Sequence, residues 1–270
     1  MTLLRLSDVE LAFGDVPVLG GVSLHVEEGE FVSLLGPSGA GKSTLFKLLV
    51  GGLVPDRGEI LFKGRPLAPR ERPFAFMPQR DALMPWRRIV DNVTLGLEVG
   101  GLSRSQARAR VAPLFAPFGL AGFERHWPAQ LSGGMRQRAA LLRTVVQERR
   151  MMLLDEPFGA LDALTRTEMQ RWLEERWAAA RWTTLLITHD VREAVSLSDR
   201  VYVLSPRPGR VVREIDVPLP RPRLARGVPA EAHAIEDAIL QTLLAPEGDT
   251  HDHPTRPGAP SPPRAAARGR

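Results

Sequence analysis

The stretch Glu30-Phe31-Val32-Ser33-Leu34-Leu35-Gly36-Pro37-Ser38-Gly39-Ala40-Gly41-Lys42-Ser43-Thr44 decides how this chain folds. Its first part, up to Leu35, is an apolar run closed by a turn signal, which reads as a buried strand. Its last residue opens a helical run, Thr44 to Val50. Between the two, Gly36 and Gly41 flank four residues and are followed by Lys42 and Ser43, the spacing of a loop that cradles phosphates. Backbone N–H groups and the positive end of the helix would converge there on an anion. Gly39 and Gly41 let the backbone curl without Cβ clashes, Lys42 would reach the β- and γ-phosphates, and the Ser43 hydroxyl would take one position on Mg²⁺. Gly36, Pro37, Ser38, Gly39, Ala40, Gly41, Lys42, Ser43 and Thr44 are therefore the expected nucleotide-binding set. A Gly-rich turn with an incidental lysine would not come with both flanks.

Outward from this loop, further apolar runs recur at Phe74 to Met77, Met151 to Leu154, Thr183 to Ile187 and Val201 to Leu204. Helical patterns alternate with them, such as Met169, Trp172, Leu173 and Trp177 on one face. The alternation predicts an α/β fold with a largely parallel sheet. From Ala82 to Val146 the strand signal disappears, and Ser103 with Gln106 makes a capping box, so this stretch reads as a helical insert. Pro113 and Pro117 should interrupt a regular helix there. Glu231 to Leu244 reads as a terminal helix packed through Ile235, Ile239 and Leu243. Residues 245–270 contain six prolines and no aliphatic residue larger than alanine, and are expected to be disordered.

Composition narrows the function classes. The 270 residues are 43% hydrophobic and 25% charged, ordinary for a globular chain with a real core. The net charge is only +5, and almost all the basic residues are arginine, so a solvated surface is the preferred reading and no nucleic-acid partner is expected. Zero cysteines exclude a disulfide scaffold, a thiolate metal site and a cysteine nucleophile, which fits a reducing compartment. Charged residues interrupt every apolar stretch before a bilayer could be spanned. Met1 to Glu10 carries Arg5, Asp8 and Glu10 and lacks the apolar centre of a secretory signal, so the chain is expected to stay where it is made.

Asp155 and Glu156 follow the run Met151 to Leu154, at the carboxyl end of a strand, where open α/β sheets collect their ligands. Asp155 can hold Mg²⁺, and Glu156 could accept a proton from the water that attacks the γ-phosphate. Adjacent acids before Pro157 could equally be a polar turn; the phosphate loop upstream favours hydrolysis.

Leu131-Ser132-Gly133-Gly134-Met135-Arg136-Gln137-Arg138 resembles the signature motif of the ATP-binding cassette ATPases. Further elements resemble that family in order: Gln79 its Q-loop, Ala160-Leu161-Asp162 its D-loop, His189 its switch histidine, and Phe13 the aromatic that stacks on adenine. The resemblance implies a P-loop NTPase (RecA-like) core with a small antiparallel β subdomain and an inserted α-helical signature subdomain. It divides the chain into a core of residues 1–81 and 147–220, a helical signature subdomain of 82–146 and a C-terminal helical extension of 221–244. It implies ATP and Mg²⁺ as cofactors, with Ser43, Gln79 and Asp155 at the metal and Glu156, His189 and Gln79 at the attacking water. It further implies that Ser132, Gly133, Gly134 and Asp162 close over the nucleotide of a second copy paired head to tail. Met135 stands where the family commonly has Gln, but the serine hydroxyl and glycine amides remain.

Within that family the chain is most similar to the nitrate, sulfonate, taurine and pyrimidine-precursor importer branch, through Asp155 to Arg166 and Ser205 to Arg210. The implied partners are integral-membrane permease subunits and, indirectly, an extracytoplasmic solute-binding protein; the implied location is peripheral, on the cytoplasmic face of the membrane. The Gln79 to Asn92 loop is the expected permease surface, with Trp86 either exposed there or buried as a staple under the insert. Two other functions compete: a soluble ATP-driven clamp on DNA or ribosomes, and a regulatory subunit that binds ATP without hydrolysing it. The lack of a long coiled coil or second cassette opposes the first, and Glu156 with His189 opposes the second.

Overall fold

The structure is a computed structural model that describes residues 1–68, 73–225 and 229–245; the expectation of disorder beyond Ala245 falls outside them. Two sheets stack through one core. The smaller is antiparallel, in the order β2 (Val16–Glu27), β1 (Thr2–Phe13), β4 (Arg57–Phe62), β5 (Arg65–Pro66). Leu4, Leu6, Val9 and Leu11 face inward from β1, but the step from Leu6 to Val9 is three residues because the register shifts there. Asp8 sits in this bulge with φ 49°, tied to Ser23 by a backbone N–H donated to the Ser23 hydroxyl at 2.8 Å. Gly58 lies against it so closely that a Cβ would stand 2.3 Å from the Asp8 carbonyl oxygen, which only glycine allows.

The larger sheet runs β10 (Val211–Asp216), β9 (Arg200–Leu204), β3 (Phe31–Leu35), β8 (Thr183–Ile187), β7 (Met151–Asp155), β6 (Phe74–Met77). Every neighbouring pair from β9 to β6 is parallel, and only β10 is antiparallel. All residues of β3, β7 and β8 are buried, as a parallel sheet covered on both faces requires. Alternation still sorts them: Met151 and Leu153 face the small sheet and α1 (Lys42–Leu49), whereas Met152 and Leu154 face the helices on the other side. The predicted strand runs and the predicted fold class agree with this arrangement to within a residue at each end.

Among the described residues no strand lies between Met77 and Met151. That stretch holds α2 (Ile89–Val93), α3 (Leu95–Val99), α4 (Arg104–Val111) and α5 (Gly133–Val145). The capping box at Ser103 forms, with the Gln106 amide oxygen accepting from the Ser103 N–H at 3.1 Å. α4 stops at Val111, where a short 3₁₀ turn containing Pro113 follows, because proline cannot donate to the helical ladder. α6 (Ala163–Ala180), α7 (Val191–Leu197) and α8 (Glu231–Leu244) follow, and Met169, Leu173 and Trp177 of α6 join the same apolar cluster as α2 and α5. Trp177 on α6 packs edge-on to Phe31 at 6.2 Å, with the Arg221 guanidinium 4.2 Å above its ring.

The segment leading to α8 is clasped by a buried arginine. The Arg223 guanidinium donates to the carbonyls of Val195 (2.8 Å), Ser198 (2.6 Å), Val217 (2.9 Å) and Leu219 (2.9 Å). Burial, with Arg221 beside it, pushes its pKa down to about 10, still charged at neutral pH. The buried Glu174 carboxylate accepts from the Arg223 and Leu224 N–H groups at 2.7 and 2.9 Å. Among the described residues no helix is long and apolar enough to cross a membrane.

Candidate functional site

The phosphate loop joins β3 to α1 at the carboxyl edge of the parallel sheet. α1 starts at Lys42, two residues earlier than the sequence pattern suggests, with Gly41 as its N-cap at φ 90° and no side chain capping it. Its first amides are therefore left for an outside acceptor. Gly41 must be glycine: a Cβ would lie 2.7 Å from Leu19 Cδ2 and 3.0 Å from the Val18 carbonyl oxygen. The crest Pro37 to Gly39 is exposed. Lys42 is only 7% exposed and curls back over its own loop, donating from Nζ to the carbonyls of Gly36 (2.6 Å) and Pro37 (2.9 Å). Burial pushes its pKa down, while the charges of Glu156 and Asp155 pull it back up.

Asp155 ends β7 and is 4% exposed, and its Oδ1 is buried without any hydrogen-bond partner. Burial raises its pKa; the adjacent Ser43 hydroxyl opposes this, and the Glu156 charge adds to it. A buried carboxylate oxygen with no donor, beside a hydroxyl at the mouth of a phosphate loop, is a fitting seat for a hard divalent cation. Among the described residues no cluster of three or more His, Cys, Asp or Glu side chains could hold a metal. A cation here would thus need phosphate oxygens and water to complete its shell, which is how Mg²⁺ is ordinarily held.

One residue on, the chain turns sharply. Glu156 has φ 48°, and its N–H donates to the Ile187 carbonyl on β8 at 2.9 Å. Its side chain leaves the strand end toward two polar neighbours. Gln79 Nε2, just after β6, donates to Glu156 Oε2 at 3.3 Å, and His189 Nδ1, just after β8, lies 3.4 Å from the same oxygen. Three residues far apart in sequence thus meet at one carboxylate oxygen.

The remaining predicted site residues stand elsewhere. Ser132 caps α5, its Oγ accepting from the Met135 N–H at 3.2 Å, and Ser132 and Gly133 are exposed. Gly134 packs on the Asp162 loop, where a Cβ would be 3.4 Å from Leu161 Cδ2. Asp162 caps α6 by accepting from the Thr165 N–H at 3.0 Å, which lowers its pKa. No hydrogen bond or ion pair joins Ser132, Gly133, Gly134 or Asp162 to Gly36–Ser43. Phe13, at the end of β1, is 51% exposed, its ring available for stacking. Trp86 is 72% exposed, so of the two readings for it the surface one holds.

Sequence reasoning passed over Gln137. It lies within the quoted signature string, but its partner, the Glu156 carbonyl 3.1 Å from its Nε2, is apparent only once the chain has folded.

Residues 19–159 match the family described as ABC transporter. The aliphatic sulfonates import ATP-binding protein SsuB 2 of Pseudomonas aeruginosa is 44% identical over 255 residues, covering 94% of this chain and 89% of its own. The protein named SsuB of Rhodopseudomonas palustris is 45% identical over 243 residues, covering 89% of this chain and 83% of its own. The dimeric bacterial ABC transporter cassette MJ0796 superposes with a TM-score of 0.72 at 30% identity, over 80% of this chain and 99% of its own. A post-hydrolysis state of that cassette, bound to ADP and Pi, superposes with a TM-score of 0.71 at 28% identity over the same shares. Two helix N-termini, that of α1 at the phosphate loop and the exposed one of α5, stand without a hydrogen bond between them, which suits a cassette that works as a dimer. The phosphate loop, the acidic strand end and this likeness over most of its length together show that the chain belongs to the ABC transporter family, as an ATP-binding and ATP-hydrolysing subunit.

Proposed function

We propose that this subunit powers an importer of aliphatic sulfonates, working as a head-to-tail pair on the cytoplasmic face of the membrane beneath integral permease subunits. A solute-binding protein on the other side would deliver the substrate. The names of the relatives support the sulfonate over nitrate or a pyrimidine precursor. Trp86, exposed in the loop after Gln79, supports that loop as the permease surface.

The observation that carries the chemistry is the meeting of Gln79, Glu156 and His189 at one carboxylate oxygen. In this reading the amides of Gly36–Thr44 and the Lys42 ammonium grip the β- and γ-phosphates, and Phe13 stacks on the adenine. Ser43, Asp155 and Gln79 would hold Mg²⁺, which when bound would neutralise charge on the phosphates. Glu156 takes the proton from the attacking water, and Gln79 and His189 keep the water and the carboxylate in line. Ser132, Gly133, Gly134 and Asp162 serve the second copy's nucleotide, so the paired state needs ATP and reopens after hydrolysis.

Two measurements test this together. Glu156→Gln should bind ATP, accumulate as a closed dimer and release phosphate at a rate reduced by about a hundredfold or more. A strain lacking the chain should lose uptake of labelled alkanesulfonate and keep that of nitrate. Near-normal phosphate release by Glu156→Gln would remove the proton acceptor. Recovery of the native protein with nucleic acid or ribosomes in place of membranes would overturn transport.

A further inference from the structure

Glu156 presents its carboxylate from a left-handed backbone, a conformation that a non-glycine residue keeps only where the surroundings hold it. Its N–H is held by Ile187 and its carbonyl by the Gly159 N–H at 3.2 Å, both from the sheet edge and the turn itself. The third bond is of another kind. It comes from the middle of α5, where Gln137 Nε2 donates to the same carbonyl at 3.1 Å. Gln137 is only 5% exposed, on a helix whose next buried residues are Ala139, Ala140, Leu141 and Leu142. A buried amide among apolar neighbours is tolerated when its bonds are made, and this one is spent on Glu156.

The same helix grips the loop that begins at Gln79. Arg136 Nε donates to Asp81 Oδ2 at 2.9 Å, and Arg143 donates to the carbonyls of Asp81 and Ala82, each at 2.7 Å. Arg136 and Arg143 are two helical turns apart and so lie on one side of α5, with Gln137 next to Arg136 in sequence. One rigid rod therefore touches both the Gln79 loop and the backbone of Glu156. Its N-terminus is Ser132.

We propose that Gln137 is a positioning residue for Glu156. By holding the Glu156 carbonyl it fixes the left-handed backbone from which the carboxylate reaches Gln79 and His189. It also makes the aim of that carboxylate depend on how α5 is seated. The inference rests on Glu156 being the proton acceptor.

The test is phosphate release from magnesium ATP by the full chain, comparing wild type, Q137M, Q137H, E156Q and the double variant Q137M/E156Q, with a melting curve for each. Methionine keeps the length of the side chain and loses its N–H donors; histidine keeps a ring N–H at similar reach. The expected result is a kcat about tenfold lower for Q137M, with KM for ATP changed by no more than about twofold and Tm by a few degrees. Q137H should recover at least about a third of the wild-type kcat. In the E156Q background Q137M should remove no more than about a further twofold, since the group it positions is gone. A purely structural amide would show losses that multiply. That outcome, a Q137M kcat within about twofold of wild type, or a Q137H as poor as Q137M at equal Tm, overturns the proposal. If Q137M does not fold, Q137L, of similar volume and without a donor, takes its place with the same outcomes. A near-normal rate for E156Q overturns the proton-acceptor reading and this inference with it, whereas an inactive E156Q beside an unchanged Q137M overturns this inference alone.

Discussion

Replacing Asp155 with Asn should make the nucleotide-free protein more stable while costing it magnesium nucleotide. The carboxylate is almost fully buried, and Oδ1 has no hydrogen-bond partner. Ser43, Lys42 and Lys47 favour the charged form, yet burial and the Glu156 charge outweigh them, so the folded pKa stands above the ordinary value. A carboxyl with a raised folded pKa binds its proton more tightly in the folded state. The penalty is therefore absent below the unfolded pKa and grows to its full size as pH rises through the folded one. Wild type therefore carries more of it at pH 7.5 than at a pH below the unfolded value. A buried polar atom left without a partner costs about 1–3 kcal/mol, and an amide at the same place retains part of that, so a gain of about 1 kcal/mol is expected. For a domain of about 150–250 residues this is a rise of about 2–4 °C in Tm. Calorimetry in EDTA without nucleotide reads it directly, and the difference between the two proteins should shrink as pH falls through the folded pKa of Asp155. Adding magnesium ATP should then raise the wild-type Tm and leave that of Asp155→Asn almost unmoved. A lower Tm for the Asn variant at pH 7.5 without nucleotide would refute the reasoning, because it would make the carboxylate an anchor of the fold.

Four other perturbations have defined outcomes. Lys42→Ala removes the ammonium that caps the phosphate loop and should weaken ATP binding at least about tenfold in a fluorescence titration, with the fold intact. Gly41→Ala forces a Cβ against Leu19 and Val18 at φ 90°; thermal melting should register about 1–2 kcal/mol of lost stability, and ATP affinity should fall with it. Trp86→Ala removes an exposed ring, so phosphate release by the isolated protein should stay within about twofold while co-purification with the permease subunits drops. Arg223→Met leaves four carbonyls without their donor and should cost about 3–5 kcal/mol in denaturant unfolding.

The centre of the parallel sheet was legible because β3, β7 and β8 are buried on both sides and so appear as short runs free of charge up to their ends. Phe31 to Leu35 and Thr183 to Ile187 are of this kind. The antiparallel sheet left a weaker trace. The inward set Leu4, Leu6, Val9 and Leu11 loses its alternation at Asp8, where a bulge inserts a residue, and only the resemblance supplied that sheet. The start of α1 was placed two residues late because a left-handed Gly41 can cap a helix directly, and nothing in the string separates that from a longer turn. In the site, the identities of Gln79, Glu156 and His189 came from motifs, while their meeting at one oxygen depends on β6, β7 and β8 being neighbours. Gln137 shows the limit: a side-chain bond to a backbone carbonyl across the fold has no periodicity and no spacing to announce it. Arg223 is similar. Its charge suggested surface, and its burial follows from four carbonyls that converge only after α7, β9 and β10 have assembled.

The helical stretch after Gln79 has no private interior. Phe115, Phe118, Leu120 and Leu142 share one continuous apolar cluster with Phe31, Met77, Leu154 and Leu186 from the underside of the parallel sheet. Transplanting that stretch alone from a sister cassette, to redirect this ATPase toward a foreign permease, would therefore mismatch shapes along the whole seam. Grafts that carry the downward-facing positions of β3, β6, β7 and β8 with it should survive. On the proposed permease reading, a change of docking partner would carry strand residues with it.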